Sequence, residues 1–336
     1  MYLQNEVLQK KGQGLEALAG DWGQRPQGLK KGRCVLDGIF NIYKEKGFTS
    51  HDVVAVVRKT IHMKKVGHTG TLDPDAEGVL PICVGRATKL SDIIMDGRKS
   101  YRAVLRLGIT TTTEDASGEI LEVCPVEFDE EKIRRAALSF IGKQEQIPPM
   151  YSAIKVNGKK LYELAREGKE IERKARLIEI YDIRIRRFLP PDAVELDVDC
   201  SKGTYIRTLC ADIGKALGCG GHMAELLRTA AGAFTIENSV RLSQLKEWAE
   251  QGQAENHLLS MEQALREFRK IRIAERFTKL LVNGARLPEY SFAEQGGAFA
   301  EGETAAVYDS AGNLTGLYTV HKDEAGLYVK PLKMLI

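Results

Sequence analysis

Hydrophobic residues recur along this chain at two spacings. After Thr49 or Ser50, either of which can cap a helix, Val53, Val56, Val57 and Ile61 fall on one face and Asp52 occupies the first turn. Residues 129–141 repeat the pattern: Asp129 is the cap, Ile133, Ala136, Ala137, Phe140 and Ile141 share a face, and Gly142 is the expected stop. Ile206, Leu209, Cys210, Ile213 and Leu217 predict a third helix over 204–217, closed by Gly218. Elsewhere the period is two. Tyr101, Ala103, Leu105 and Leu107 are interleaved with Arg102 and Arg106, and Val194, Leu196, Val198 and Cys200 with Glu195, Asp197 and Asp199, so both segments read as strands with one buried face. Residues 66–78, with three glycines and a proline, predict irregular backbone.

Helices and strands mix without a regular βαβ alternation, which favours an α+β architecture over a doubly wound sheet. Charged, helical-looking sequence over 241–269 gives way to short apolar runs broken by Asn283-Gly284, Gly296-Gly297, Gly302 and Gly312-Asn313, the texture of a small β-rich module. Residues 1–33 have neither period and read as a disordered or weakly helical extension. The expected organisation is therefore 1–33 as extension, 34–267 as the main domain and 268–336 as the β-rich domain. No internal repeat or low-complexity tract is present.

The 336 residues are 43% hydrophobic and 28% charged, as in ordinary globular proteins. The longest stretch without Asp, Glu, Lys or Arg, from Ser310 to His321, is short and largely polar, and no signal-like apolar run opens the chain, so a cytoplasmic protein with no membrane partner is expected. Six scattered cysteines form no Cys-x-x-Cys pair and His222 has no metal-spaced partner; all six read as structural thiols, and no metal is expected. Net charge is only +3, so a polyanionic partner must be argued from local asymmetry. Residues 58–106 hold ten basic and five acidic side chains, and residues 155–187 hold eleven and six. By charge alone both are best read as solvated faces.

Asp73 lies in the glycine-rich loop, between His68 and a proline that pushes it out of the α region. A carboxylate so held can be a nucleophile, a general base or merely a turn former. The loop is no Walker A phosphate cradle, because its Gly-x-x-x-x-Gly-Lys-Ser/Thr pattern is absent. Tyr205 and Arg207 sit in the first turn of the third helix, off its apolar face. An arginine there can orient a buried carboxylate, and a tyrosine offers a stacking face, although an exposed helix start would look the same.

Six blocks remove the anonymity: Gly-Phe-Thr-Ser-His-Asp-Val-Val (47–54), Lys-Val-Gly-His-Thr-Gly-Thr-Leu-Asp-Pro-Asp-Ala-Glu-Gly-Val-Leu-Pro (65–81), Gly-Arg-Ala-Thr-Lys-Leu (85–90), Lys-Ser-Tyr-Arg-Ala (99–103), Pro-Pro-Met-Tyr-Ser-Ala-Ile-Lys-Val-Asn-Gly (148–158) and Ser-Lys-Gly-Thr-Tyr-Ile-Arg-Thr-Leu (201–209). Together, and in this order, they resemble the bacterial TruB family of tRNA pseudouridine synthases from about Leu36 to Ile336. The resemblance implies a mixed, largely antiparallel catalytic domain followed by a PUA-type RNA-binding domain. It also implies isomerisation of the uridine at position 55 in the tRNA T loop, without metal or cofactor, by a monomer that binds the T arm. Carried over residue by residue, it makes Asp73 the catalytic aspartate, Arg207 its partner, and Tyr101 the tyrosine that stacks on the target base and helps remove its C5 proton. It makes Tyr205 and Leu226 further substrate contacts, and His68 the loop histidine that fills space left by flipped bases. Whether Asp73 attacks C1′ or takes the 2′ proton to give a glycal stays open. An RNA-binding protein without turnover, and a synthase acting on another RNA, are the competing readings. The 36 residues before the Asp37-Gly38-Ile39 block depart from the family pattern, and Val35 or Leu36 could be encoded by GTG or TTG, so the extension is also readable as a gene-start artefact.

Overall fold

In the computed structural model the described residues are 36–156, 158–295 and 297–336, so the expectations for the extension and for Cys34 lie outside them. A nine-stranded sheet organises the larger part. Its strands are β1 (Gly38–Lys44), β2 (Val66–His68), β3 (Glu77–Val84), β4 (Lys99–Leu107), β5 (Gly142–Gln146), β6 (Arg176–Leu189), β7 (Ala193–Cys200), β8 (Gly221–Ala231) and β9 (Phe234–Thr235). They run in the order β1-β3-β8-β4-β7-β6-β5, with β2 added to β3 and β9 to β8. Every ladder is antiparallel except β3 with β8, where Gly78 lies opposite Arg228. The α+β expectation is met.

The alternating strands behave as their sequences dictate. Tyr101, Ala103, Leu105 and Leu107 are buried, as are Val194, Leu196, Val198 and Cys200. On the opposite side Arg102 and Arg186 share Asp197 at 3.1 and 2.9 Å, Arg187 meets Glu195 at 3.0 Å, Arg184 meets Asp182 at 3.2 Å and Arg106 meets Asp192 at 3.0 Å. Much of the local cationic excess read from the sequence is thus consumed by cross-strand pairing.

Helix α1 (Ser50–Thr60) starts in a capping box in which the Thr49 hydroxyl accepts from the Asp52 amide and Asp52 accepts from the Thr49 amide. Helix α2 (Glu130–Leu138) is capped by Asp129 but ends earlier than its spacing predicts. Gly142, expected to stop the helix, instead opens β5 at φ +116°, where any Cβ would be strained. Helix α3 (Ile206–Ala216) has Tyr205 as N-cap. The charged 241–269 segment resolves into helix α4 (Leu242–Glu250) and two short turns. Part of the segment read as irregular is β2 and the start of β3, because Val66–His68 pair with Ile82–Val84.

Three buried clusters distribute these elements. Helices α2 and α3 pack on β4, β6 and β7 through Ile133, Ala137, Ile206, Leu209 and Ile213. Helices α1 and α4 cover β1 and β3 through Val53, Val57, Leu242 and Leu245. The third cluster joins the sheet to a second, six-stranded one. Its strands are β10 (Arg269–Ile273), β11 (Leu287–Pro288), β12 (Phe292–Gln295), β13 (Thr304–Tyr308), β14 (Leu314–Asp323) and β15 (Gly326–Met334), ordered β11-β15-β14-β13-β10-β12. Ile39, Val79, Cys83 and Leu90 from the first part meet Ala306, Tyr308, Leu317 and Leu335 from the second. Lys89 Nζ donates to the Met334 carbonyl at 2.8 Å across the same junction, and Lys333 pairs with Asp92 at 3.0 Å.

Candidate active site

The loop between β2 and β3 is held at nearly every residue. Asp73 opens a turn closed by the Ala76 amide on its own carbonyl at 3.1 Å, with Pro74 supplying the φ such a turn needs. The Leu72 amide donates to Ser50 Oγ at 2.9 Å, the Thr69 amide to Pro81 O at 3.1 Å, and the Gly47 amide to Pro74 O at 2.9 Å. Lys44, with no exposed surface, aims its ammonium up from β1 at Ala76 O (2.6 Å), Pro74 O (3.0 Å) and Glu45 O (3.2 Å). Arg228 does the same from β8, donating to Val79 O, Gly70 O and Thr71 O. The turn is therefore made by backbone, which leaves the Asp73 side chain for another use.

That side chain meets Arg207. Nε lies 3.1 Å from Asp73 Oδ2, and Nη2 lies 3.5 Å from Oδ1 and 2.9 Å from Tyr151 O. The remaining nitrogen, Nη1, donates to Thr113 O at 3.2 Å and to Asp115 Oδ2 at 3.4 Å. All three guanidinium nitrogens are engaged, a fork that an ammonium cannot reproduce. The Arg207 side chain is only 6% exposed, so its place off the apolar stripe of α3 marks a second buried face and not a solvated helix start. A reciprocal clasp fixes that start: the Tyr205 amide donates to Gln146 Oε1 at 2.8 Å, and Gln146 Nε2 to Tyr205 O at 3.0 Å.

Electrostatics follow from burial. Loss of solvent raises the Asp73 carboxyl above its ordinary value; Arg207 and Lys44 pull it down, while Asp115 and Asp75 push it up. The expected pair of Arg207 with Asp73 forms, but desolvation, not Arg207, is the larger influence on the carboxyl. Burial also lowers His68, helped by His51 and Arg228, so the imidazole is biased to its neutral form. Its Nδ1 accepts the Gly70 amide at 3.3 Å, and its ring meets His51 edge-on at 5.2 Å. Burial raises the Tyr101 phenol against the opposing Arg228 cation, and raises Tyr205 likewise. Lys44 falls to about 8 because its ammonium is desolvated.

The sequence-selected residues converge. Tyr101 lies opposite Arg228 in the β4–β8 ladder, and Leu226 opposite Ala103, packed against the cluster that contains Leu72 and Tyr101. The charge of Asp73 reaches both Tyr101 and Tyr205. Four residues of the assembly were missed: Lys44, Ser50, Asp115 and Arg228. A lysine ending the apolar strand Gly-Ile-Phe-Asn-Ile-Tyr-Lys was a legible signal; nothing in the local sequence marked the others as parts of a site.

Comparison with known proteins finds relatives by family, by sequence and by fold. Residues 58–206 match the TruB family pseudouridylate synthase N-terminal domain, and residues 207–266 the tRNA pseudouridylate synthase B C-terminal domain. The tRNA pseudouridine synthase B of Alkaliphilus oremlandii is 54% identical over 75% of this chain and 83% of its own. That of Bacillus subtilis is 44% identical over 90% of this chain and 98% of its own. Among solved structures, the chain is similar to one in a Cbf5-Nop10-Gar1 complex, with a TM-score of 0.72 and 28% identity over 94% of this chain and 90% of that one. It is also similar to a chain of an H/ACA RNP bound to a substrate RNA containing 2′-deoxyuridine, with a TM-score of 0.71 and 26% identity over the same shares.

Proposed function

The chain belongs to the TruB family of pseudouridylate synthases, and from that premise we propose that it acts on the T loop of tRNA, at position 55, with Asp73 as the reacting carboxylate. Conversion of uridine to pseudouridine in tRNA is its activity. The reaction breaks the N1–C1′ bond, turns the uracil and joins C5 to C1′. A carboxylate beside the ribose serves it in either of two ways: it attacks C1′, or it removes the 2′ proton. The observation that carries this reading is the ion pair of Asp73 with Arg207, in which a buried, fully used guanidinium orients a half-buried carboxylate whose side chain stays 36% exposed. A binding surface for phosphates gains nothing from a carboxylate held in it, which would repel them.

A base inside a folded RNA loop cannot reach Asp73 unless it is extruded, at a cost of about a few kcal/mol. Tyr101 offers a stacking face to the extruded uracil, Tyr205 and Leu226 border it, and the neutral imidazole of His68 occupies the gap it leaves. The six-stranded C-terminal sheet acts as a second, more remote RNA grip, adding affinity and salt dependence more than rate.

Incubation of the protein with an unmodified tRNA transcript, followed by mapping of pseudouridine, tests this reading. A single modification at position 55 is expected with the wild type. Asp73→Asn should bind the transcript yet lose roughly a thousandfold or more in single-turnover rate. Modification elsewhere in the tRNA would overturn the T-loop assignment, and turnover by Asp73→Asn within tenfold of wild type would overturn that of Asp73.

A further inference from the structure

Arg228 is 1% exposed and the bulkiest wholly buried side chain among the described residues, yet no carboxylate pairs with it there. A cation desolvated without an anion is costly, and such a group persists only where its hydrogen bonds are well used. Its three nitrogens all point at main-chain carbonyls, divided between the two limbs of the Asp73 loop. Nη2 and Nη1 donate to Gly70 O at 3.3 Å and Thr71 O at 3.4 Å on the entering limb, and Nε to Val79 O at 2.7 Å on the leaving limb.

The backbone is shaped for this reach. Gly78 stands at φ +104°, and a Cβ there would lie 2.2 Å from Arg228 O, so only glycine lets β3 press against β8 at this point. The β4–β8 register places Arg228 directly opposite Tyr101, and the guanidinium charge acts on the phenol. One planar group therefore touches both limbs of the loop, on the strand position facing Tyr101.

We propose that Arg228 is a positioning residue for the isomerisation, its guanidinium setting the spacing of the two limbs that present Asp73 and fixing the Tyr101 phenol against them. The inference rests on the roles given to Asp73 and Tyr101 above and adds what places those groups. Because the clamp spans two limbs, charge alone cannot replace it: the donors of an ammonium converge on one atom, as in Lys44, whereas three separated guanidinium nitrogens reach Gly70, Thr71 and Val79 carbonyls on both limbs at once.

The test uses full-length Arg228→Lys and Arg228→Gln, with Asp73→Asn alongside. Arg228→Lys is expected to keep the near-ultraviolet circular dichroism of the wild type and to bind unmodified tRNA transcript within about threefold, while its single-turnover rate falls about thirtyfold or more. Its acid limb should also move to lower pH, since a loosened loop admits more water to the half-buried Asp73, whose carboxyl is raised by partial loss of it. A rate within threefold of wild type would overturn the proposal. So would a rate loss with the acid limb unmoved, or failure of both Arg228 variants to fold, either of which makes Arg228 a residue of the fold alone. If Asp73→Asn turns over normally, the reading of the site fails whatever the Arg228 variants do; an inactive Asp73→Asn beside an unimpaired Arg228→Lys removes this inference alone.

Discussion

The outer face of β4, β7 and β6 and the floor of the Asp73 pocket both depend on arginines, and they use them in opposite ways. Outside, Arg102, Arg184, Arg186 and Arg187 alternate with Asp182, Glu195, Asp197 and Asp199 in short ion pairs, and the Arg186 side chain is 43% exposed. Inside, Arg207 divides its contacts between two main-chain carbonyls and the carboxylates of Asp73 and Asp115, while Arg228 gives all three nitrogens to main-chain carbonyls. Water screens the outer pairs, so they add little and any one is replaceable. Arg207 and Arg228 are themselves shut off from solvent, and removing such a donor strands several acceptors at once. Ion pairing alone would rank the outer ladder first; burial and carbonyl partners reverse the order.

The comparison is sharpened most by Arg207→Lys. The substitution keeps the charge but loses the fork shared among Asp73, Asp115, Thr113 O and Tyr151 O, so the single-turnover rate should fall about a hundredfold while tRNA affinity changes little. A normal rate with a large binding defect would make Arg207 a phosphate contact, like an arginine of an exposed face.

A smaller effect is expected from Asp115→Asn, read as a pH profile. Asp73 must be ionised to act, and its raised value puts the acid limb of the rate above the ordinary aspartate range. Removing the Asp115 charge takes away one cause of that elevation, so the limb should move to lower pH. A limb that stays in place or rises would show that Asp115 does not act on Asp73 through its charge. The smallest effect belongs to the ladder: Arg186→Gln should lower the melting temperature by no more than about 2 °C and leave rate and tRNA affinity unchanged. A large loss there would break the contrast between the two regions.

Much of this was legible in the sequence, and unevenly. Periodicity marked β4, β7 and α1 because each has one clear apolar face. It overran at α2, where Phe140 and Ile141 continue the spacing but Gly142 takes a conformation that belongs to the next strand. It missed β2, whose Val66–His68 is strand only because Ile82–Val84 lies beside it. Asp73 and Arg207 were candidates by loop position and helix face, but family resemblance alone joined them, since no spacing rule links residues so far apart in the chain. Lys44, Asp115 and Arg228 escaped because they act on backbone or on another side chain. An arginine that binds three carbonyls carries the same letter as one that binds water.

The cluster joining Ile39 and Leu90 to Tyr308, Leu317 and Leu335 bears on how the molecule folds and melts. Contacts between segments so distant in sequence form late, because long loops must close before they can be made. A chain in which only the first sheet has formed leaves the outer side of β1 and β3 bare, an apolar surface prone to association. Heating meets the same coupling in reverse: the second sheet cannot part from the first without wetting that surface. The described residues should therefore unfold in one calorimetric transition, the catalytic sheet and its C-terminal neighbour sharing a single cooperative unit.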